Sequence, residues 1–240
     1  MLDNLDNTPL AERARLAILD AILKRQFEHD RLPAEGELAK MLNISRTTIR
    51  TALHSLEQDG IITRRRAIGT TVNRHVGPAT LALQRLIPFD ALLEDSGYKT
   101  RAEVSWHRGP VPADLAKAFD LEPGEVCYIS EKLFYANDEL AIYDRGVVPE
   151  RHLEGELPED APSSLSDFSQ QHMTAAIDHS VTAIVPLTKR RGTSTKLELA
   201  SGTPFLRLHE RHYSRTGQPI AYSSLDVDDS FVRFEVFRHK

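Results

Sequence analysis

Four residues in a run of five, Arg46, Thr47, Thr48 and Arg50, carry hydrogen-bond donors, and two of them a permanent positive charge; Ser45 stands just before them. A little farther on, Arg64, Arg65 and Arg66 put three guanidinium groups side by side. Guanidinium and hydroxyl groups at this density suit phosphate oxygens and base edges, because the planar arginine fork matches the paired acceptors of phosphate and guanine. The net charge of the 240-residue chain, -5, has the wrong sign for a partner of a polyanion. Its distribution does not: residues 1–75 hold 12 basic and 10 acidic residues, residues 76–240 hold 18 and 25, and within 43–75 the count is 6 to 2. Positive charge is therefore concentrated around the donor-rich segment, the footprint of nucleic-acid binding.

Other chemistries find less support. Cys127 is the single cysteine, which excludes an intrachain disulfide and a cysteine-rich zinc site and suits a reducing compartment. His209 and His212, three apart on a predicted strand, point to opposite faces, and no helix carries histidines four apart, so no metal is expected among the ten histidines. A G-x-S-x-G elbow is missing, and no Ser, His and Asp set is marked for nucleophilic catalysis. With 40% hydrophobic residues the chain can build real cores, in one large domain or two modest ones. No stretch approaches the roughly 18 apolar residues of a membrane span, and nothing at the N-terminus reads as a secretion signal. A soluble, cytoplasmic protein without cofactor or membrane partner is expected.

The donors need elements to hold them. Leu10, Ala14, Ile18, Ala21 and Ile22 recur at helical spacing and predict an amphipathic helix over 8–27. A shorter helix follows Pro33, with Glu35 and Glu37 at the positive end of its dipole and Leu38, Met41 and Leu42 as its apolar stripe. Asn43 and Ile44 make a tight turn. Ser45 is placed to cap a third helix, SRTTIRTALHSLEQ, by accepting from an orphan N–H of its first turn. If Ile49, Leu53 and Leu56 face inward, Arg46, Thr47 and Arg50 line the outer surface of the first turns, where a helix entering a major groove presents them to base edges. Gly60 supplies a left-handed helix end. Residues 61–66 and 70–73 alternate as two strands joined through Gly69, a basic hairpin. Helix, helix, turn, helix and hairpin in this order form a winged helix-turn-helix layout.

The stretch LPAEGELAKMLNISRTTIRTALHSLEQDGII, continued by RRRAIGTTVN, resembles the GntR family of bacterial regulators. The resemblance implies that Arg46, Thr47, Thr48 and Arg50 are the main contacts to double-stranded operator DNA, with Glu35 and Ser45 beside them. It also implies that the wing tip at Gly69 approaches the minor groove or the backbone, and Arg64, Arg65 and Arg66 of the basic hairpin are expected to add attraction to the backbone. Two positions depart from the family pattern. Gly36 stands where the family commonly has an arginine that reaches DNA, and Ala67-Ile68-Gly69 replaces the usual Gly-x-Gly tip.

Residues 74–80 contain Gly77-Pro78 and read as a linker between domains at 1–73 and 81–240. Beyond them, alternation predicts strands at 100–107, 126–136, 139–148, 180–186, 204–214, 220–227 and 231–237, with hairpin turns at Asn137-Asp138 and Thr216-Gly217. Helices are predicted near 90–95, 112–119, 166–173 and 193–200, which makes the fold α+β, an antiparallel sheet with flanking helices. The stretches IPFDALLEDSGYKTRAEV, LEPGEVCYISEKLFYANDELAIYDRGVVP and LELASGTPFLRLHERHYSRTGQPIAYSSLDV resemble the UTRA effector-binding domain of the HutC branch, which is similar in architecture to chorismate lyase.

That second resemblance implies a small-molecule effector and a homodimer held by the second domains. In members that bind phosphosugars, two arginines on one strand and a carboxylate on the next line the pocket; here those positions are Lys132, Phe134 and Asp144, and Asp226 stands where an aromatic is common. Phe89, Arg145 and Tyr222 complete the candidate effector set. A phosphate needs concentrated donors and positive charge, so the expected effector is not a phosphosugar but carries an amine or ring, with any carboxylate matched by Lys132 or Arg145. The overall expectation is a repressor released from its operator by effector. Two competing readings are a chorismate-lyase-like enzyme, distinguished by turnover of a ligand, and an architectural DNA-binding protein, distinguished by weak sequence preference and no ligand response.

Overall fold

The polypeptide divides into two units, one built on Met1–Leu81 and the other on Ala82–Phe234. The computed structural model describes residues 9–66, 68–73, 76, 89–157, 162 and 164–234. All but one residue of the expected linker, and residues 81–88 after it, fall outside that set.

In the first unit, helix α1 spans Leu10–Leu23, α2 Glu35–Met41 and α3 Arg46–Gln58, followed by the two-stranded ribbon β1 (Ile62–Arg65) and β2 (Gly69–Val72). Ala14, Ile18, Leu19 and Ile22 of α1 bury against Ile49, Ala52, Leu53 and Leu56 of α3, with Leu38, Ile61 and Ile62 closing the core. Leu10 and Met41, expected on the apolar stripes, are instead 49% and 67% exposed; Leu19 and Ala39 take their places inside. The stripe of each helix is narrower than hydrophobicity alone suggests.

The short helices end on hydrogen bonds. Ser45 Oγ accepts from the Thr48 N–H at 3.1 Å, which caps α3 as its sequence predicts. At the other end Gly60 adopts φ +69°, and the N–H of Ile61 reaches the Leu56 carbonyl while that of Gly60 reaches Glu57. Asn43, at φ +52°, closes α2 the same way, with Ile44 N–H donating to Ala39 and Asn43 N–H to Lys40. Two left-handed residues thus set the sharp turns into and out of α3.

The second unit is a six-stranded antiparallel sheet in the order β3-β4-β5-β8-β7-β6. Its strands are β3 (Thr100–Pro110), β4 (Val126–Ala136), β5 (Glu139–Pro149), β6 (His179–Thr188), β7 (Pro204–Tyr213) and β8 (Pro219–Val227). Asn137 and Asp138 both take positive φ, +57° and +97°, as a two-residue hairpin loop requires. Helices α4 (Phe89–Asp95), α5 (Ala113–Phe119) and α6 (Leu165–His172) flank the sheet. Leu115, Ala116 and Phe119 of α5 cover one face through Cys127, Ile129, Val147 and Tyr222. Leu165 and Phe168 of α6 cover the other through Tyr128, Val148 and Ala221, while Phe89 of α4 meets Phe134 edge to face at 5.8 Å.

Two predicted elements do not form. Residues 193–200 are not helical: the hydroxyls of Thr193 and Thr195 accept from the N–H groups of Arg190 and Leu197, and Leu197 and Leu199 pack in extended chain against Tyr143 and Phe205. Of the strand predicted at 231–237, residues 231–234 are irregular, because Asp228 Oδ1 accepts from both the backbone and the hydroxyl of Ser230 and turns the chain; the remainder lies outside the described residues.

Candidate nucleic-acid interface and effector site

The outer surface of α3 gathers the donors the sequence points to. Arg46, Thr47 and Arg50 are exposed, and Thr48 turns its hydroxyl back to Ser45 at 2.8 Å. Glu35, in the first turn of α2, accepts from Arg50 Nη2 at 3.0 Å through one carboxylate oxygen and from Arg64 Nη2 through the other. One carboxylate therefore ties the recognition helix to the first strand of the wing. Arg64 is further held by Glu57, which takes its backbone N–H at 3.1 Å. The side chains of Arg46, Arg65 and Arg66 have no ion pair or hydrogen-bond acceptor among the described residues. Fixed arginines beside unengaged ones give a surface that is ordered yet still has donors to offer.

The wing is braced from below. Asn73 donates to the Gly60 carbonyl at 2.7 Å and accepts from Thr63 Oγ1 at 2.6 Å, and Arg31 Nη2 donates to the Ile68 carbonyl at 2.7 Å beside the tip. Gly69 sits at φ +97°, a conformation that side chains oppose. Exposed charge on a braced hairpin suits backbone phosphates, where position matters more than base identity.

In the sheet unit the seven candidate effector residues do not converge. Neighbours along a strand face opposite sides, so Asp144 and Arg145 part company. Lys132 pairs across the sheet with Asp144, and Phe134 and Phe89 lie on that same face. Arg145, Tyr222 and Asp226 share the other face with Tyr143 and Arg207. There each is already engaged: Arg207 grips Asp226 through two bonds of 2.6 and 2.8 Å, Arg145 donates to Asp114 at 2.6 Å, and Tyr222 packs on Phe119 at 5.1 Å.

The Lys132 face is different. Lys132 and Asp144 are only 3% and 4% exposed, with Nζ 3.3 Å from Oδ2. Asp144 Oδ1 and Ser130 Oγ are buried without a hydrogen-bond partner among the described residues. Ser130 lies opposite Gly146, where a Cβ would come within 2.4 Å of its hydroxyl, so only glycine leaves that hydroxyl in place. Next to them His212 bonds Ser180 Oγ at 2.6 Å and Ser223 Oγ at 3.0 Å, and Glu210 accepts from Thr182 at 2.9 Å. Burial pushes the Glu210 carboxyl up to about 7 and His212 down to about 3. Burial also raises Asp144, against the pull of Lys132. Orphaned polar atoms in a buried, nearly charge-balanced row are suited to a ligand that supplies the missing hydrogen bonds.

Family models divide the chain along the same lines. Residues 10–72 match the model described as bacterial regulatory proteins, gntR family, and residues 95–225 match the UTRA domain. The chain belongs to the GntR family, with a UTRA domain. It is 26% identical over 223 residues to the HTH-type transcriptional regulator GgaR of Escherichia coli, covering 91% of this chain and 86% of that protein. To the histidine utilization repressor of Pseudomonas aeruginosa it is 27% identical over 212 residues, covering 86% and 82%. Among solved structures, the possible transcriptional regulator YydK of Bacillus subtilis superimposes with a TM-score of 0.65 at 19% identity, over 97% of this chain and all of the other.

As a GntR regulator the protein binds DNA through the first unit, and its UTRA domain is the kind that binds small molecules. No described helix is long and apolar enough to cross a membrane. His209 and His212 do face apart, His209 against the Phe119 ring at 5.4 Å and His212 into the buried row. Sequence reasoning passes over Ser130 and Glu210, and weighs His212 only as a metal ligand. For the two on β7 the signal is parity: Glu210 and His212 alternate with Arg207, His209 and Arg211, which marks two differently charged faces of that strand.

Proposed function

We propose that this GntR regulator is a homodimeric repressor that holds a two-fold-symmetric operator until a small molecule binds the Lys132 face of its UTRA sheet. A single winged head makes few base contacts, and pairing two of them on a palindrome is the usual way to reach specific affinity. The observation that carries the effector site is the pair of unsatisfied buried atoms, Asp144 Oδ1 and Ser130 Oγ, beside Lys132 and Phe134. A neutral or cationic molecule that donates N–H or O–H to Asp144 and rests an apolar part on Phe134 and Phe89 would satisfy them. A phosphosugar would bring two negative charges to a row that holds one lysine against Asp144 and Glu210. Arg145, Tyr222 and Asp226, bound to partners on the opposite face, serve the fold of that face rather than the effector.

Effector binding is read out as loss of operator affinity, and a coupling of about 1–3 kcal/mol corresponds to several-fold to a hundredfold release. The test is a metabolite screen by thermal shift on the full chain and on Asp144→Asn, followed by gel shift with the gene's own upstream DNA. A stabilising amine or ring compound that releases DNA from the wild type and binds Asp144→Asn weakly supports the proposal. A sugar phosphate as tightest ligand overturns the effector class, and a ligand that leaves the gel shift unchanged overturns the coupling.

A further inference from the structure

Gly36 is the second residue of α2, and its φ is not left-handed, so the backbone there gives no reason for glycine. A methyl group would meet Arg46 first: a Cβ at 36 would lie 3.0 Å from Arg46 Nη2 and 3.3 Å from both Cζ and Nε. All three atoms belong to the Arg46 guanidinium, so that group takes the space a side chain at 36 would fill. Glycine costs helix stability and returns nothing to α2 itself. What it leaves is a seat.

We infer that Gly36 is a positioning residue for Arg46 and so helps set the base preference of each operator half-site, an inference that rests on the reading of Arg46 as a contact to operator DNA. Arg46 lies in the first turn of the recognition helix, exposed, and has no acceptor among the described residues. Its neighbour one turn on, Arg50, already spends donors on Glu35. The first turn of α2 therefore orders two arginines by two means, Arg50 by the charge of Glu35 and Arg46 by the absence of a side chain at 36. A guanidinium seated in that space without an acceptor among the described residues keeps its donors free and has less freedom to lose on binding. Two parallel donors match guanine O6 and N7.

The test uses the full chain, a DNA site selected by the wild type from random sequence, and the variants Gly36→Ala, Arg46→Ala, Arg46→Lys and Gly36→Ala/Arg46→Ala. Arg46→Ala should weaken binding about tenfold or more and relax one base position in each half-site. Gly36→Ala should weaken binding about five- to tenfold at that same position, with a melting temperature equal to or above the wild type. In the Arg46→Ala background Gly36→Ala should change affinity less than about twofold. Arg46→Lys, which keeps the charge and loses the flat fork, should keep the salt dependence of binding but not the base preference. The inference is overturned if Gly36→Ala binds as the wild type does, if its penalty persists in full without Arg46, or if it relaxes a different base position. A lowered melting temperature overturns it as well, because something stiffer than Arg46 would then fill the space.

Discussion

Glu35 and Asp144 each sit beside basic groups, and the setting of each carboxylate differs. Glu35 holds Arg50 and Arg64 where water reaches all three, while Asp144 holds Lys132 inside the sheet unit with an oxygen left unsatisfied. In water an ion pair contributes little to stability, because solvent competes for both partners. Away from water the pair is costly to form and more costly to break. The head thus keeps its charges for a partner that arrives with many phosphates, and on the proposed reading the sheet keeps a few polar atoms for a ligand that enters and excludes water.

The sharpest way to break this contrast is to remove one carboxylate from each region. Asp144→Ala strands Lys132 in the interior and should cost about 3–5 kcal/mol in urea unfolding followed by Trp106 fluorescence. Glu35→Ala should cost less than about 1 kcal/mol by circular dichroism of the helices. Equal losses would erase the distinction.

A second effect belongs to the buried row alone. The Glu210 carboxyl, raised by burial to about 7, binds its proton more tightly folded than unfolded. Its contribution is therefore full below about pH 4.5 and is lost as pH rises toward 7, a change of about 1–3 kcal/mol. Glu210→Gln keeps the acceptor for Thr182 and removes the titration. Measured against the wild type across pH 4.5–7, the glutamine variant should gain relative stability with rising pH; a flat difference would show that Glu210 is solvated.

Smaller again is the cap. Ser45→Ala should lower the stability of the head by about 1 kcal/mol through the lost bond to Thr48 N–H, measured by chemical unfolding. Smallest on stability is the paired change of Arg65 and Arg66 to Ala, which should leave the melting temperature unchanged. The same variant should lower the slope of log affinity against log salt by about one for each arginine, uniformly across DNA sequences. A loss of stability there would mean that the wing charges hold the fold.

The head is legible in the sequence because its punctuation is local: Ser45, Asn43 and Gly60 each decide an end of a helix within a few residues. The strands are legible through alternation, as 204–213 shows. Residues 193–200 mislead because Lys, Leu, Glu and Ala favour a helix, whereas the threonine hydroxyls and the sheet surface under Leu197 and Leu199 decide for extended chain. The division of the candidate effector residues between two faces is not legible from the resemblance. Asp144 and Arg145 are adjacent in the chain, and strand parity alone sends them to different faces; a set transferred from resemblance carries no such parity. The seating of Arg46 on Gly36 leaves no pattern in sequence at all, because it depends on two elements meeting.

The central claim is that the head recognises a particular duplex sequence. Competition between fragments of the native genome for the full-length protein at moderate salt tests it most directly. A fragment bearing a two-fold-symmetric site should be retained over bulk DNA by about a thousandfold or more. Retention of all fragments in proportion to length, with no site enriched, would contradict it.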